Sequence, residues 1–306
     1  MASNNLTSTL TSNMQIFYDK VLLDQLKQHL VFHNVGTQKN LPRNSGKVVY
    51  WTRYNLMAAV TTAITESVVP ASVALSSTTV STTLAQYGSW TSVSDLVDMT
   101  AIDHVVESAV GQLGYAAALT LDTVDRNKLD AGTNVAFANG KVSSTVTSAD
   151  VLTGADVRKT ARILSAANVQ PFAGNDFAAV VHVNNAYDLM GDTATGGWIN
   201  SNTYVDVSNI YNGELGKMYG VRFMQTTNVA STAITGGNSY STHFLGAGAL
   251  GVVEFDGNIH TYVKNPNDFD TSNPINQFST VGWKFTYANK ILDENRQVTL
   301  TCGSTF

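Results

Sequence analysis

The string Gly246-Ala-Gly248-Ala-Leu-Gly251 has the spacing of a dinucleotide-binding fingerprint, whose glycines let a cofactor's pyrophosphate approach the backbone. Such a site needs a strand before the string, a helix opening on it and an acidic residue about twenty positions later. A strand pattern does precede the string, but residues 252–257 read as a strand and a turn. We therefore expect no cofactor to bind there.

Isolated residues of reactive type offer no catalytic arrangement either. His29 and His33 have the four-residue spacing of a metal pair on a helix, but no third ligand lies near them, so they are interpreted as solvated or capping histidines. His182 ends an apolar strand pattern and is expected to be a hydrogen-bonded core residue. Cys302 is the only cysteine, which excludes an intramolecular disulfide, and no base is evident that could activate its thiol.

Asp122 and Asp125 lie in a helical pattern, where they are expected to cap or pair rather than to transfer protons. Asp122 and Arg126 are four residues apart and can pair weakly. The sequence contains no Walker loop, HExxH motif, nucleophile elbow or CxxC pair. We therefore predict that the protein is not an enzyme and has no catalytic residue, metal site or cofactor.

The composition suggests a surface that neighbouring molecules cover. Charged residues make up only 13% of the 306 residues, whereas about a quarter is typical. A secreted β-rich protein could share this composition, but so could a subunit buried among its copies. The net charge of −5 argues against a protein that coats DNA. No signal peptide is visible, and no apolar run is long enough to span a membrane.

A long amphipathic helix is predicted from Thr100 to Gly132. Thr100 is placed to cap it, and Gly132 could end it in a left-handed conformation. About thirty residues at about 1.5 Å each give a rod of roughly 45 Å. Gly111 and Gly114 each cost about 1 kcal/mol relative to alanine, so another element packs closely there or the rod flexes. The apolar stripe along this spine helix comprises Ile102, Val106, Ala109, Leu113, Ala117, Leu121 and Val124.

Two extended segments precede the spine helix. Residues 47–55 alternate as a strand does, and a second extended run is predicted over 79–87, closing at Gly88. Between them lies a Ser/Thr/Val/Ala-rich stretch whose only acid is Glu66 and whose only proline is Pro70. An isolated hairpin is marginally stable. We therefore expect a projecting hairpin that lies on a neighbouring subunit by strand addition.

The other patterns complete an α+β chain. A helix is predicted over Met14–Phe32, another from a Thr153 cap to about Asn168, and a short one near 186–190. Residues 134–148 are expected to be turns. Further strands are predicted over 177–183, 221–225, 242–245, 251–255, 259–264, 278–291 and 297–301.

The order of several strings resembles that of the major capsid proteins of tailed bacteriophages. The strings are 46–54 (GKVVYWTRY), 65–70 (TESVVP), 86–88 (QYG), Leu113-Gly114 with Asp122, His182, 213–216 (GELG) leading to 220–223 (GVRF), and 279–284 (STVGWK). The resemblance covers about residues 40–302. Ser67 stands where that family's pattern leads us to expect glycine, and Asn184 stands near an expected proline.

This resemblance implies the fold of the Hong Kong ninety-seven phage capsid. It divides the chain into an N-terminal arm (1–46), an extended hairpin loop (47–92), a peripheral domain (93–150 and 269–306) with the spine helix, and an axial domain (151–268). It implies a structural protein that self-assembles into hexamers and pentamers of an icosahedral shell around phage DNA. The residues expected at contacts between subunits are Arg53, Glu66, Pro70, Gln86 and Tyr87.

The implied partners are other copies of the chain, a portal, scaffolding or decoration proteins, and weakly contacted double-stranded DNA, with no membrane. The implied location is the virion capsid, assembled in the cytoplasm of a host bacterium. An encapsulin-like nanocompartment shell is the alternative with the same fold. A dinucleotide enzyme and a phage tail or adhesin β-protein are further alternatives, against which the residues after Gly251 and the long helix respectively argue.

Overall fold

A computed structural model describes residues 30–42, 44, 46–100, 105–194, 197–198, 214–255, 259–264, 273–275 and 277–306. Its helices are α1 (Phe32–Val35), α2 (Asp95–Thr100), α3 (Val105–Asp130), α4 (Gly154–Ala166) and α5 (Val183–Met190). Its strands are β1 (Thr37–Leu41), β2 (Val48–Tyr54), β3 (Ser77–Thr83), β4 (Ala85–Ser94), β5 (Val135–Phe137), β6 (Phe177–His182), β7 (Glu214–Met218), β8 (Val221–Thr226), β9 (Ser231–Ile234), β10 (Gly237–Leu245), β11 (Leu250–Phe255), β12 (His260–Lys264), β13 (Phe278–Ile291) and β14 (Gln297–Gly303).

A five-stranded sheet is built around the long strand β13. The strand β4 pairs antiparallel with residues 278–287 of β13, β12 pairs with 280–284, and β11 pairs with 287–291. The strand β1 adds to β11 in parallel. A separate two-stranded hairpin is formed by β2 and β3.

A seven-stranded sheet has the order β5-β14-β10-β6-β8-β7, with β9 also paired to β10. The pairs β6–β8 and β5–β14 are parallel, and the other pairs are antiparallel. The strands β11 and β12 come from the predicted axial segment but pair with β13, whereas β14 comes from the predicted peripheral segment and pairs with β10. The division into peripheral and axial domains stays a prediction.

The helix α3 lies against both sheets. Its buried side chains, among them Val110, Leu113 and Leu121, share one core with Trp283 and Tyr287 of β13 and with side chains from β6 and β10. The helices α4 and α5 cover the other face of the seven-stranded sheet, where a second core forms. With 26 residues, α3 is about 39 Å long and spans the joint between the sheets.

The predicted spine helix is confirmed over 105–130, but both of its predicted ends need correction. Thr100 is the last residue of α2, and its hydroxyl donates to the Leu96 carbonyl (2.6 Å), so it is not the cap of α3. Gly132 follows the helix, but it is not among the residues with positive φ. A β-carbon at Gly132 would lie 1.6 Å from Nε2 of Gln297, so close packing explains the glycine.

The predicted position of the second hairpin strand, 79–87, is also wrong. The strand that pairs with β2 is Ser77–Thr83, and β4 continues through Gly88 to Ser94 in the five-stranded sheet. The chain passes from the hairpin to the sheet at Leu84, whose buried side chain packs between them and whose N–H donates to the Lys47 carbonyl (3.0 Å).

Most other predicted elements have the predicted type, helix or strand, although some of their ends differ. The helix α4 begins at the predicted Thr153 cap, whose hydroxyl accepts from the Asp156 N–H (3.4 Å), although it ends at Ala166. The predicted turns at 134–148 contain the short strand β5, and the helix α2 was not predicted. The helix predicted over Met14–Phe32 lies almost wholly outside the described residues.

Candidate functional site

The connection between β2 and β3 is the most exposed segment that the structure describes. Residues 55–76 contain no helix or strand, and Leu56 and Val69 are 90% and 91% exposed. The segment, called loop 55–76 below, exposes eight large apolar side chains: Leu56, Met57, Val60, Ile64, Val68, Val69, Val73 and Leu75. So much exposed apolar surface in one place is characteristic of an interaction site.

The base of the hairpin, in contrast, is fixed to the body of the chain. Val49 and Leu84 pack against Val253 and Ala288 of the five-stranded sheet. Thr82 donates from its hydroxyl to the Asn289 carbonyl (3.2 Å). Hence only the segment beyond the base projects.

Arg53 forms an ion pair with Asp293 of its own chain. This contact holds the hairpin to the connection between β13 and β14. Sequence reasoning did not find it, because 240 positions separate the residues and neither belongs to a recognisable motif. The role of Arg53 in a contact between subunits stays a prediction. Within the chain, its side chain holds the hairpin to the body.

The other predicted contact residues fall into two groups. Glu66 and Pro70 are exposed in loop 55–76. Gln86 and Tyr87 lie instead on β4 in the sheet, where Gln86 is exposed and the Tyr87 ring stacks on Phe285 with centroids 5.6 Å apart. The structure therefore does not gather these residues into one cluster.

The tip of the loop turns at Glu66 and Ser67, and the Val68 N–H donates to the Thr65 carbonyl (3.2 Å). Ser67 has φ of 64°, in the left-handed region that glycine occupies at least cost. Glycine is the residue that the family resemblance led us to expect at this position.

The two glycines of the spine helix differ in their surroundings. A β-carbon at Gly111 would meet nothing within 4 Å, so close packing does not explain this glycine. Gly114 is buried on the inner face of α3. Both lie within one continuous helix, and the predicted flexure stays a prediction.

Asp122 is fully buried on the inner face of α3, where it binds the segment that opens α1. Its carboxylate accepts from the N–H groups of Val31 (3.0 Å) and Phe32 (2.7 Å) and from Nδ2 of Asn228 (3.0 Å). Of the two roles expected from the sequence, capping and pairing, these hydrogen bonds show capping, and they do so at the start of α1 rather than in the helix that carries Asp122. Arg126 pairs with Asp130 (3.9 Å) rather than with Asp122. Burial raises the pKa of Asp122, its hydrogen bonds oppose the rise, and the nearby Asp125 adds to it.

Asp125 lies one turn further along the same buried face. It accepts from the Tyr287 hydroxyl (2.7 Å) and from Nδ2 of Asn289 (2.8 Å), and Nδ1 of His33 lies 3.3 Å from it. The two aspartates thus join four parts of the chain: the segment at α1, the helix α3, the strand β13 and the loop at Asn228. Asp122 follows the buried Leu121, and this is the signal that could have placed both carboxylates inside.

The remaining residues of reactive type have structural roles. His182 accepts at Nδ1 from the Asn184 N–H (3.2 Å) and so caps α5, and its ring stacks on Tyr240 with centroids 3.9 Å apart. A proline at 184 would lack that N–H donor. Burial lowers the pKa of His182. Cys302 is buried and free, and burial raises the pKa of its thiol well above the usual range.

The Gly246–Gly251 string is a connection between two strands. It joins β10 to β11, and Nη1 of Arg296 donates to the Ala247 carbonyl within it (2.7 Å). The string therefore does not open a helix, as a dinucleotide site requires. Within the described ranges, no three His, Cys, Asp or Glu side chains are grouped as metal ligands. No helix in the described part of the chain is both long and apolar enough to cross a membrane.

Comparison of the sequence with protein families gives one match that covers most of the chain. Residues 77–288 match the model of a family described as "Phage capsid protein". None of the curated proteins matches the sequence significantly.

The fold is similar to several solved capsid structures. The capsid of Ralstonia phage GP4 matches with a TM-score of 0.71 at 13% identity, over 89% of this chain and 88% of that chain. The capsid of cyanophage P-SCSP1u matches with a TM-score of 0.66 at 14% identity, over 90% and 89% of the two chains. The capsid of cyanophage Pam1 matches with a TM-score of 0.62 at 18% identity, over 86% of each. The chain therefore belongs to the phage capsid protein family, as a structural major capsid protein with the tailed-phage capsid fold.

Proposed function

We propose that copies of this chain join head to tail into hexamers and pentamers, which close an icosahedral shell around phage DNA in the cytoplasm of a host bacterium. Contacts of this heterologous kind close into rings when the rotation between copies permits. Loop 55–76 lies on a neighbouring copy and covers its apolar side chains there. The family match favours this viral shell over an encapsulin-like compartment.

The observation that carries the proposal is the contrast between the loop and its base. The base is packed and ion-paired to the body, whereas the loop exposes eight large apolar side chains. Burying apolar surface is the main favourable term in most protein association. A neighbour that covers the loop removes that exposure, and small side chains along it permit several packings.

The remaining parts of the proposal concern the assembled particle. Strength comes from many repeated interfaces, and the protein acts by assembly rather than by catalysis. Flexure of α3 at Gly111 and Gly114 lets a compact precursor repack into an expanded shell. A portal and scaffolding or decoration proteins join the shell. The low content of Lys and Arg lets packaged DNA slide rather than bind tightly.

Replacement of residues 56–75 by Asn-Gly tests the role of the loop. Asn-Gly closes a hairpin with a two-residue turn, so β2 and β3 keep their pairing and the body keeps its thermal unfolding midpoint. We expect wild-type protein to form shells in negative-stain micrographs and the variant to remain as small oligomers or monomers.

A second variant separates the length of the loop from its apolar content. It keeps the length of the loop but replaces the eight large apolar residues by serine, and we expect it to fail in the same way. Shells of normal size from either variant would contradict the proposal. Nuclease-protected DNA inside purified particles is the further observation that separates a viral shell from a cargo compartment.

A further inference from the structure

The two faces of the five-stranded sheet are covered by different parts of the chain. On one face, Val252 of β11 belongs to the core that α3 shares with this sheet. On the other face, Val253 belongs to the small core in which Val49 and Leu84 of the hairpin base pack. Successive side chains of a strand point to opposite faces. The spine helix and the hairpin therefore lie on opposite sides of one sheet.

Residues 31–41, called the strap below, contact both sides of this sheet. Phe32 and Val35 are buried in the core on the α3 side. Lys39 of β1 is in register with Val253, so its side chain points to the hairpin side. Because β1 is the outermost strand beside β11, the strap passes from one face to the other around the edge of the sheet.

The first attachment of the strap is to the spine helix. The Asp122 carboxylate accepts from the N–H groups of Val31 (3.0 Å) and Phe32 (2.7 Å). One turn further along α3, Oδ2 of Asp125 lies 3.3 Å from Nδ1 of His33. Both carboxylates are fully buried, so breaking one of these hydrogen bonds leaves a buried polar group without a partner. The start of the strap is therefore held firmly on α3.

The second attachment of the strap is to the hairpin. Nζ of Lys39 donates to the Tyr50 carbonyl of β2 (2.8 Å) and lies 5.7 Å from the centre of the Trp51 ring. Leu41 and Trp51 both pack against the small core at the hairpin base. The end of the strap is thus fastened to β2 by one charged contact and by apolar packing.

The strap is held along its length as well as at its ends. A β-carbon at Gly36 would lie 2.7 Å from Cγ1 of Val252, so the backbone passes close against the sheet at this residue. From Thr37 to Leu41, the strap is paired in parallel with β11. Coupling between distant sites is carried by contiguous packed and hydrogen-bonded groups of this kind.

We propose that the strap couples the spine helix to the hairpin around the edge of the sheet, so that loosening either attachment loosens the other. Lys39 is then a positioning residue for the hairpin, and Asp122 is its counterpart on α3. A coupling free energy between two sites acts equally in both directions. The inference goes beyond the proposed function, because it concerns the single subunit and does not depend on whether shells form.

Hydrogen exchange of the unassembled full-length subunit, read by mass spectrometry of its peptides, tests the coupling in both directions. Asp122→Ala should speed exchange in the hairpin strand 48–54, on the opposite side of the sheet. Lys39→Met, which keeps an aliphatic side chain, should speed exchange around Val31 and Phe32. Each effect should be about three-fold, because the exposed Lys39 contact is the weakest part of the link.

Matched controls remove similar groups outside the strap. Asp156→Ala removes a buried carboxylate at the start of α4, and Lys159→Met removes an exposed lysine on the same helix. Both should leave exchange in the hairpin and in the strap unchanged. In Asp122→Ala, exchange in β6 should also be unchanged. Equal acceleration in β6 and in the hairpin would show general destabilisation and would overturn the inference.

A lengthened strap separates coupling through this segment from coupling through the sheet. Insertion of Gly-Gly between Gly36 and Thr37 gives the strap free length while its two attachment sites are kept. In this background, Asp122→Ala should no longer speed exchange at 48–54. Persistent acceleration would show that the sheet itself carries the effect. Without the insertion, faster exchange at Phe32 but not at 48–54 in Asp122→Ala would show independent attachments, and either result contradicts the strap.

Discussion

Asp122 and Asp125 show that the hydrogen-bond partners of a residue, rather than its type, decide whether it is buried. Both carboxylates are fully buried. Asp122 is held by two backbone N–H groups at the start of α1, and Asp125 is held by Tyr287 and Asn289. A buried charge is tolerated when hydrogen bonds surround it. At the scale of single residues, this pair fastens the segment at α1 to the spine helix.

Replacing Asp122 by alanine should lower the free energy of unfolding of the subunit by about 1–3 kcal/mol, because the N–H groups of Val31 and Phe32 lose their acceptor. Asp122→Asn keeps an acceptor oxygen and should cost clearly less. Urea unfolding of the unassembled subunit measures both variants. Equal losses in the two variants would contradict the hydrogen-bonding role.

The same pair of variants gives a pH prediction. The folded-state pKa of Asp122 is raised above its ordinary value of 3.8, so its contribution to stability is greatest below that value and is lost as pH rises through the folded-state pKa. Asp122→Asn removes this loss. The stability of Asp122→Asn relative to wild type should therefore be higher at pH 7 than at pH 3.5. A difference in free energy of unfolding between the two proteins that is the same at both pH values would contradict this prediction.

Ser67 tests the left-handed turn at the tip of the loop. Ser67→Gly should raise the free energy of unfolding by up to ~1 kcal/mol, because left-handed backbone is strained for a residue with a β-carbon. Ser67→Val should lower it, because a branched side chain crowds this conformation further. Thermal unfolding of both variants measures the effect. Stability is expected to decrease in the order glycine, serine, valine at position 67.

Residues that act through local geometry could be predicted from the sequence, and residues that act through distant partners could not. Thr153 was identified as a cap because Asp156 follows it at a fixed spacing. The partners of Asp122 lie about 90 and 106 positions away, and that of Arg53 lies 240 positions away, so no local pattern contains them.

At the scale of elements, α3 determines how the two sheets are joined. Its buried face shares one core with β13 in one sheet and with β6 and β10 in the other. Gly111 is placed away from these contacts, because a β-carbon there would have open space around it. A glycine that packing does not require weakens a helix at that point.

Gly111→Ala should therefore stabilise the subunit by about 1 kcal/mol, since alanine favours the helix and the added methyl group meets nothing. Gly114→Ala, one turn along on the buried face, should destabilise it, because a methyl group must be accommodated in a packed core. Chemical denaturation of both variants gives the comparison. A Gly111→Ala subunit that is less stable than wild type would contradict the open surroundings of Gly111. If Gly111 serves flexure of the spine helix, particles of Gly111→Ala should assemble but expand more slowly than wild-type particles.

Long elements with a regular apolar pattern could be predicted from the sequence. Very short strands, and a strand that continues past a glycine, could not. The strands β6, β8 and β13 and the helix α4 follow from apolar patterns longer than a few residues. The sequence predicts that an extended run ends at Gly88, because a glycine usually ends a strand, yet pairing along β13 carries β4 on to Ser94. The strand β5 has three residues, too few for a period to show.

At the scale of the whole molecule, the described part of the chain leaves loop 55–76 exposed, with its eight large apolar side chains. The low charge content of the sequence predicted covered surfaces of this kind. The arrangement of the five-stranded sheet could not be predicted, because residues 90, 262 and 282 become neighbours only when β4 and β12 pair with β13.

Assembly should consequently depend on temperature as apolar burial does. Because the loop carries eight large apolar side chains and one charge, shell formation should weaken on cooling from 25 to 5 °C and strengthen in sulfate. Light scattering of the wild-type subunit at matched concentrations measures both effects. Assembly that instead improved in the cold and failed at moderate sodium chloride would indicate that charged contacts dominate.

The anchored base of the hairpin has a consequence for the geometry of a closed particle. Arg53, Val49 and Leu84 fix the direction in which the hairpin leaves the body. We therefore expect the hairpin to leave every copy at the same angle. Under the proposed assembly, the difference in tilt between five-fold and six-fold positions is then absorbed beyond Tyr54 and Ser77. One sequence can thus occupy both environments with a single body conformation, and variation among the copies of a particle would be concentrated in about twenty residues of each chain.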